Sequence, residues 1–280
     1  MKTVAIQGVS GAYHEIAARE FFKGEEIQIL ECNTFPDLFN AMAKDPTLLA
    51  IVAIENTIAG SLLQNHTLLR ESACQIIGEH KLRIEHNLVV LPGQKIEDIE
   101  EIHSHPIALM QCETFFSEHP KMRVIESVDT ALSAKEIVEQ KIPKRAAICS
   151  ALAAQKYGLE VIAKGIETNK RNFTRFLIIA EPTLAAEMIK EITPNKSSLV
   201  FSLPHEEGCL AKVLSVLSFY HNNLTKIQSL PIIGEEWRYQ FYINLTFNDY
   251  AHYRQSLDAI IPLTKDFQIL GEYREAKTPE

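Results

Sequence analysis

Cysteine is scarce and scattered. The five residues Cys32, Cys74, Cys112, Cys149 and Cys209 form no CxxC pair, and their number is odd. That opposes a disulfide framework and a zinc cage and suits a reducing cytosol. The ten histidines show neither HxH nor HExxH spacing, so no metal site is expected. No apolar run approaches the roughly 18 residues that a membrane span needs. The first strand is interrupted by Gly8, Ser10 and Gly11, and no signal h-region precedes it. A cytoplasmic protein without a membrane partner is the expectation. Positive charge is also short. A net charge of −8 argues against nucleic acid or an anionic membrane as a partner. Local Arg, Lys or backbone N–H groups could still receive a small anion.

The chain does have size and pattern. With 280 residues, 46% apolar and 23% charged, it reads as globular with room for two cores. Short apolar runs alternate with helical stripes over the first 180 or so residues, as at Val4–Gln7, Tyr13–Phe22 and Ala50–Ile54. One long strand is expected near Leu82–Leu91. This rhythm predicts an α/β fold with largely parallel sheets and ligand sites at the carboxyl ends of strands. A linker is expected over 182–195, where Pro182 and Pro194 break the pattern. Beyond it, Leu210, Val213, Leu214 and Leu217 follow helical spacing. Tyr239, Phe241, Ile243, Leu245 and Phe247 alternate with polar residues, as on a strand with one face buried. The order over the last 80 or so residues is βαββαβ, a ferredoxin-like module.

Several segments can carry chemistry. Gly8-Val9-Ser10-Gly11 lies between a strand and a helix, where backbone N–H groups can face an anion; a simple tight turn reads equally well. No Gly-Lys-Ser/Thr follows it, and it is not GxGxxG. Glu55-Asn56-Thr57 follows the buried run AIVAI, with Gly60-Ser61 opening a helix; helix capping is the plain alternative. Ser104-His105-Pro106 leads into Gln111-Cys112, and Cys112 without a recognisable base reads as a packed thiol. Asn172-Phe173-Thr174-Arg175-Phe176 heads an apolar strand and delivers a hydroxyl to its start.

Taken together, these four segments resemble prephenate dehydratase, over essentially the whole chain. The family's first glycine motif is similar to Gly8–Tyr13, its Glu-Asn-Ser/Thr-x-x-Gly motif to Glu55–Gly60, its Ser-His-Pro…Gln-Cys motif to Ser104–Cys112, and its Asn-x-Thr-Arg-Phe motif to Asn172–Phe176. Gly208-Cys209-Leu210…Leu214 resembles the Gly-Ala-Leu-x-x-x-Leu motif of an ACT domain. The resemblance implies a catalytic domain over 1–181, two-lobed like a periplasmic binding protein, and an ACT regulatory domain over 196–280.

It also implies decarboxylating dehydration of prephenate to phenylpyruvate, CO2 and water, with no cofactor. Thr174, Glu55, Asn56 and Gln111 would be catalytic. Gly8, Gly11, Thr57, Ser104, Asn172, Arg175 and Phe176 would bind substrate. Gly208, Leu210, Gln228 and Ser229 would form an L-phenylalanine effector site. A homodimer or homotetramer is expected. The departures are His14 for a small hydroxyl residue, Thr67 for Asp, Ile107 for Gln, and Gln228-Ser229-Leu230-Pro231 for Glu-Ser-Arg-Pro. The last predicts weakened inhibition by phenylalanine. Strand alternation puts Thr174 and Phe176 on one face and Arg175 on the other, so an Arg175 carboxylate clamp needs an irregular strand start. Arogenate, the aminated analogue, is an alternative substrate, and a non-catalytic small-molecule sensor is an alternative function.

Overall fold

The structure, a computed structural model, describes Met1–Lys277 and Pro279. Its elements are β1 (Lys2–Gln7), α1 (Tyr13–Phe21), β2 (Ile27–Cys32), α2 (Phe35–Lys44), β3 (Leu49–Asn56), the short β4 (Gly60–Ser61), α3 (Leu63–Glu71), β5 (Gln75–Arg83) and β6 (Asn87–Val90). Then come β7 (Glu101–Ser104), α4 (Pro106–Gln111), α5 (Glu113–Glu118), β8 (Arg123–Glu126), α6 (Thr130–Gln140), β9 (Arg145–Cys149), α7 (Ala151–Tyr157), β10 (Glu160–Ala163) and β11 (Phe173–Ala180). The chain continues through α8 (Pro182–Ile189), β12 (Lys196–Ser202), α9 (Cys209–Phe219), β13 (Asn223–Pro231), β14 (Tyr239–Thr246), α10 (Tyr250–Ile260) and β15 (Lys265–Tyr273).

This is a mixed α/β fold with three sheets. The first has the order β2-β1-β3-β11-β5, with β4 beside β3, and β1 runs parallel to both β2 and β3. The second has the order β10-β6-β9-β7-β8. The third, β13-β14-β12-β15, is antiparallel throughout. The chain divides into two compact units: Met1–Leu62 with His80–Phe176, and Leu63–Glu79 with Leu177–Lys277. Among the described residues no helix is long and apolar enough to cross a membrane.

Local chemistry explains where elements start. Every residue of β3 except Glu55 is buried, as its unbroken apolar run requires. A capping box opens α2: Thr34 Oγ1 accepts from the Asp37 amide at 3.2 Å, and the Asp37 carboxylate accepts from the Thr34 amide at 3.1 Å. Asp129 caps α6 by accepting from the Leu132 amide at 2.8 Å, and Ser150 caps α7 by accepting from the Ala153 amide at 3.0 Å.

Four details differ from the pattern reading. The long strand near Leu82–Leu91 is two strands. At the break, the His86 amide donates to a side chain, Glu167 Oε2 at 2.9 Å, in place of a strand partner. The second sheet is mixed: β6 runs antiparallel to both β9 and β10. The segment 182–195 is not all linker, because Pro182 occupies the first turn of α8 behind its Glu181 cap. The polar face of β14 is covered, not solvated. Gln240, Tyr242 and Asn244 are buried; Tyr242 donates to Gln240 Oε1 at 3.2 Å, and Ser198 donates to Asn244 Oδ1 at 2.7 Å. Its other face packs with Leu199, Val213, Leu217, Tyr253 and Leu257 in one core.

Candidate active site

The first unit holds a cavity of about 200 Å³. At its wall, Asn56 ends β3 and is nearly buried. Its Oδ1 accepts from the amides of Ile58 and Ala59 at 2.9 and 2.8 Å, which fixes the orientation of the side-chain amide. The rest follows by donor–acceptor logic. Asn56 Nδ2 must donate, and it reaches Asn172 Oδ1 at 2.8 Å and Thr174 Oγ1 at 2.9 Å. Asn172 Nδ2 then donates to Gln111 Oε1 at 2.8 Å, and Gln111 Nε2 returns to Asn56 Oδ1 at 3.2 Å. Gln111 Oε1 also accepts from His86 Nε2 at 2.8 Å, so the proton sits on that nitrogen. His86 Nδ1 faces the Tyr13 hydroxyl at 2.9 Å, and Tyr13 Oη lies 2.7 Å from the Glu85 carbonyl. Burial lowers the imidazole pKa of His86 and raises the phenol of Tyr13 well above its usual value, so both are neutral.

This ring is closed and directional. Thr174 Oγ1 accepts from Asn56, which leaves its own hydrogen for whatever occupies the cavity. Asn56, Gln111, Asn172 and Thr174 are all buried, and Asn56, Gln111 and Thr174 line the cavity itself. They come from the end of β3, the end of α4 and the start of β11.

A model of the family described as prephenate dehydratase matches residues 4–183. The chain belongs to the prephenate dehydratase family. Members of this family are lyases. The bifunctional chorismate mutase/prephenate dehydratase of Escherichia coli (strain K12) is 30% identical over 96% of this chain and 70% of its own. Arogenate dehydratase 2 of Petunia hybrida is 40% identical over 82% of this chain and 57% of its own. Among solved structures, the prephenate dehydratase of Arthrobacter aurescens in complex with L-Phe is 25% identical, with TM-score 0.86 over 97% of this chain and 90% of that one. GqqA, described as a novel type of quorum quenching acylase, is 30% identical, with TM-score 0.86 over 98% of each chain.

The remaining family motif residues divide into those at the cavity and those behind it. Phe176 lines it on the same side of β11 as Thr174; Arg175 does not line it, and its guanidinium pairs with Glu55 at 3.6 Å. Glu55, expected at the chemistry, thus sits with Arg175 and outside the cavity lining. Thr57 ties strand to strand: its amide donates to the Phe173 carbonyl at 2.9 Å, and its Oγ1 accepts from the Phe173 amide at 3.0 Å. Ser104 is fully buried and donates to the Ile148 carbonyl at 2.7 Å.

The expected anion turn is spent on packing. The amides of Gly8, Ser10 and Gly11 donate to the Cys32 carbonyl, Glu31 Oε1 and Glu15 Oε2, at 2.8, 2.6 and 2.7 Å. None of these donors is left for a substrate carboxylate. Gly11 has φ +91°, and a Cβ there would come within 2.7 Å of Ala153 Cα, so the glycine allows close approach to α7. Cys112 is buried, and burial pushes its thiol up to about 12, which suits a packed side chain and not a nucleophile.

Among the cavity residues that the sequence reading did not select are Tyr13, His14, His86, His105 and Asp129. Tyr13 and His105 stood inside quoted motifs, and His14 directly follows one. His86 was hidden in the supposed long strand. Asp129 carried only an N-cap signal before Thr130 and α6. His14 packs edge-on against Phe176 and Phe35, with ring centroids 5.0 and 5.6 Å away. Burial pushes its imidazole down to about 4, and its buried Nε2 has no hydrogen-bond partner among the described residues.

The second unit has a cavity of about 160 Å³ near the start of α9, lined in part by Leu210, Trp237 and Tyr239. Gly208 is the left-handed residue just before α9, with φ +73°. Gln228 and Ser229 lie on β13, opposite Tyr242 and Phe241, and do not line this cavity. Among the described residues no group of three or more His, Cys, Asp or Glu side chains is placed to hold a metal.

Proposed function

We propose that this cavity converts prephenate to phenylpyruvate, CO2 and water, with Thr174 assisting departure of the ring hydroxyl. One observation carries the assignment of roles: Asn56 donates to Thr174 and so leaves the threonine hydrogen for the substrate. The ring carboxylate leaves as CO2, and the C–C electron pair enters the ring. The opposite C–O bond breaks, and its oxygen leaves as water after taking a proton from solvent. Aromatisation drives the step, so no redox or electrophilic cofactor is required. Thr174 is a weak acid and acts by hydrogen bonding to the leaving oxygen, held in place by Asn56, Gln111 and Asn172. Phe176 and the neutral His14 flank the ring; the unpartnered Nε2 of His14 offers it a hydrogen bond.

Acylase chemistry through a nucleophilic hydroxyl, GqqA being described as an acylase, fits this site less well. An attacking hydroxyl needs a base to take its proton. Here Asn56 donates to Thr174, and no base reaches that hydroxyl among the described residues. A sensor would bind ligand saturably without turnover, so formation of product separates it from the enzyme.

The same proposal includes a two-lobed catalytic domain over 1–181 and an ACT regulatory domain over 196–280 of a cytoplasmic homodimer or homotetramer. The β13-β14-β12-β15 sheet with α9 and α10 supports the second. L-Phe, the ligand of the Arthrobacter neighbour, is the proposed effector, acting weakly because Gln228 and Leu230 replace a Glu and an Arg. Formation of phenylpyruvate from prephenate, compared between wild type and Thr174→Val, tests the activity. No product from wild type, or full turnover by the variant, would sink it. Strong inhibition by L-Phe would overturn the regulatory part.

A further inference from the structure

The charge on the cavity wall is unexpected for a dianionic substrate. Among the described residues no arginine or lysine lines it, and Asp129 is its one carboxylate. The other ionisable groups on the wall are Tyr13 and the imidazoles of His14, His86 and His105. Burial holds each imidazole below the usual range, so none is a fixed cation in the free protein at neutral pH.

The three imidazoles differ in what surrounds their nitrogens. His14 Nε2 has no hydrogen-bond partner among the described residues. His105 Nδ1 accepts from the Ile107 amide at 3.2 Å, so a proton there would set two donors against each other. His86 is framed for a cation. Its Nε2–H is fixed on Gln111 Oε1, because Gln111 Nε2 is turned to Asn56 Oδ1. Its Nδ1 lies 2.9 Å from Tyr13 Oη, which lies 2.7 Å from the Glu85 carbonyl. Tyr13 has one hydrogen, and with neutral His86 two acceptors compete for it. A proton on Nδ1 ends the competition: Nδ1–H donates to Tyr13 Oη, and Tyr13 donates to the Glu85 carbonyl. Every donor and acceptor of the chain is then matched. Behind the ring, Glu167 Oε2 accepts from the His86 amide at 2.9 Å and favours the cation; Arg83 and Lys170, at 3.5 and 3.7 Å from Glu167 Oε1, temper this. Burial is what keeps His86 neutral in the free protein, and a dianion in the cavity offsets that cost.

We propose that His86 takes up a proton from solvent when the dianionic substrate binds and serves as the cavity's cation. The inference rests on the prephenate reading and adds a binding group to it. Both N–H groups are engaged by Gln111 and Tyr13, so His86 attracts the substrate by charge and not by a direct hydrogen bond. The proton returns to solvent when product leaves.

The test is the pH dependence of phenylpyruvate formation from prephenate. The profile of kcat/KM follows the free protein, and that of kcat follows the complex. The free imidazole titrates below its ordinary value of about 6.5, so kcat/KM should fall about ten-fold per unit between about pH 6.5 and 8. The bound imidazole titrates higher, so kcat should hold further up and KM should carry the fall. His86→Gln keeps a donor for Gln111 and removes the charge. It should lower kcat/KM at pH 6.5 by about ten-fold or more, mostly in KM, and flatten the profile. If it fails to fold, Tyr13→Phe supplies the second comparison: the Nδ1–H of the imidazolium loses its acceptor, and KM at pH 7 should rise about ten-fold or more. A flat kcat/KM profile in wild type overturns the inference and leaves the dehydratase reading intact. So does a slope that persists in His86→Gln, or an unchanged KM in Tyr13→Phe. No phenylpyruvate from wild type at any pH overturns both.

Discussion

Asn56 Nδ2 donates to Thr174 Oγ1 over 2.9 Å. This one contact sets the direction of the threonine hydroxyl, because an oxygen that accepts from Asn56 keeps its own hydrogen for the cavity. Thr174→Val retains size and β-branching and removes that hydrogen. The expected result is a fall in kcat of about 10²-fold or more with little change in KM, the range for removal of an acid–base partner. Thr174→Ser should recover much of the rate. Steady-state kinetics on the three proteins decide it; equal kcat values would remove Thr174 from the chemistry.

Gln111 holds two neighbours at once, accepting from Asn172 Nδ2 and His86 Nε2, each at 2.8 Å. Gln111→Ala leaves both donors buried and unpaired. The expected cost is about 1–3 kcal/mol in urea unfolding for each donor that finds no replacement. Asn56→Ala should interact with it strongly, since both belong to one ring. A double mutant whose destabilisation equals the sum of the singles would mean the ring is not a unit.

Gly11 and Gly24 both have positive φ, +91° and +94°, but only Gly11 is crowded. An alanine at 24 meets nothing within 4 Å and suffers the backbone conformation alone, about 1–2 kcal/mol. At 11 the methyl would also press on Ala153 Cα at 2.7 Å. Gly11→Ala should therefore lower the unfolding midpoint clearly more than Gly24→Ala. It should also lower kcat, since the turn leads into Tyr13 and His14. Matching midpoints for the two variants would contradict the packing role.

Sequence made the local pieces legible and left the junctions hidden. The apolar run of β3 and the 3.6-residue stripe of α9 are local signals, and each element stands where its pattern puts it. The alternation of β11 likewise separates Thr174 and Phe176 from Arg175. His86 was illegible because its strand is broken from outside, by the Glu167 carboxylate 81 residues away. The turn at Gly8–Gly11 read equally as an anion site or a tight turn, because the sequence does not show that Cys32, Glu31 and Glu15 take its amides. The covered polar face of β14 was missed for the same reason: a hydrogen-bonded partner such as Ser198 is distant in sequence from Asn244.

Glu15 gives a pH-dependent prediction. Its side chain is fully buried and receives Lys156 Nζ at 2.6 Å, the Gly11 amide at 2.7 Å and Arg19 Nε at 2.8 Å. Burial alone would raise its pKa, but these donors outweigh burial and hold the carboxyl below its ordinary value. A carboxyl of lower pKa in the folded state stabilises the fold above its unfolded value, about 4.3. That stabilisation fades as pH falls through the folded value. Glu15→Gln removes the titration and keeps the shape. Wild type should exceed the variant in urea midpoint by a constant margin near pH 7, and the margin should shrink below about pH 4.3. Unfolding curves across that range provide the measurement. Parallel pH profiles for the two proteins would mean that Lys156 and Arg19 do not stabilise the charged form of Glu15.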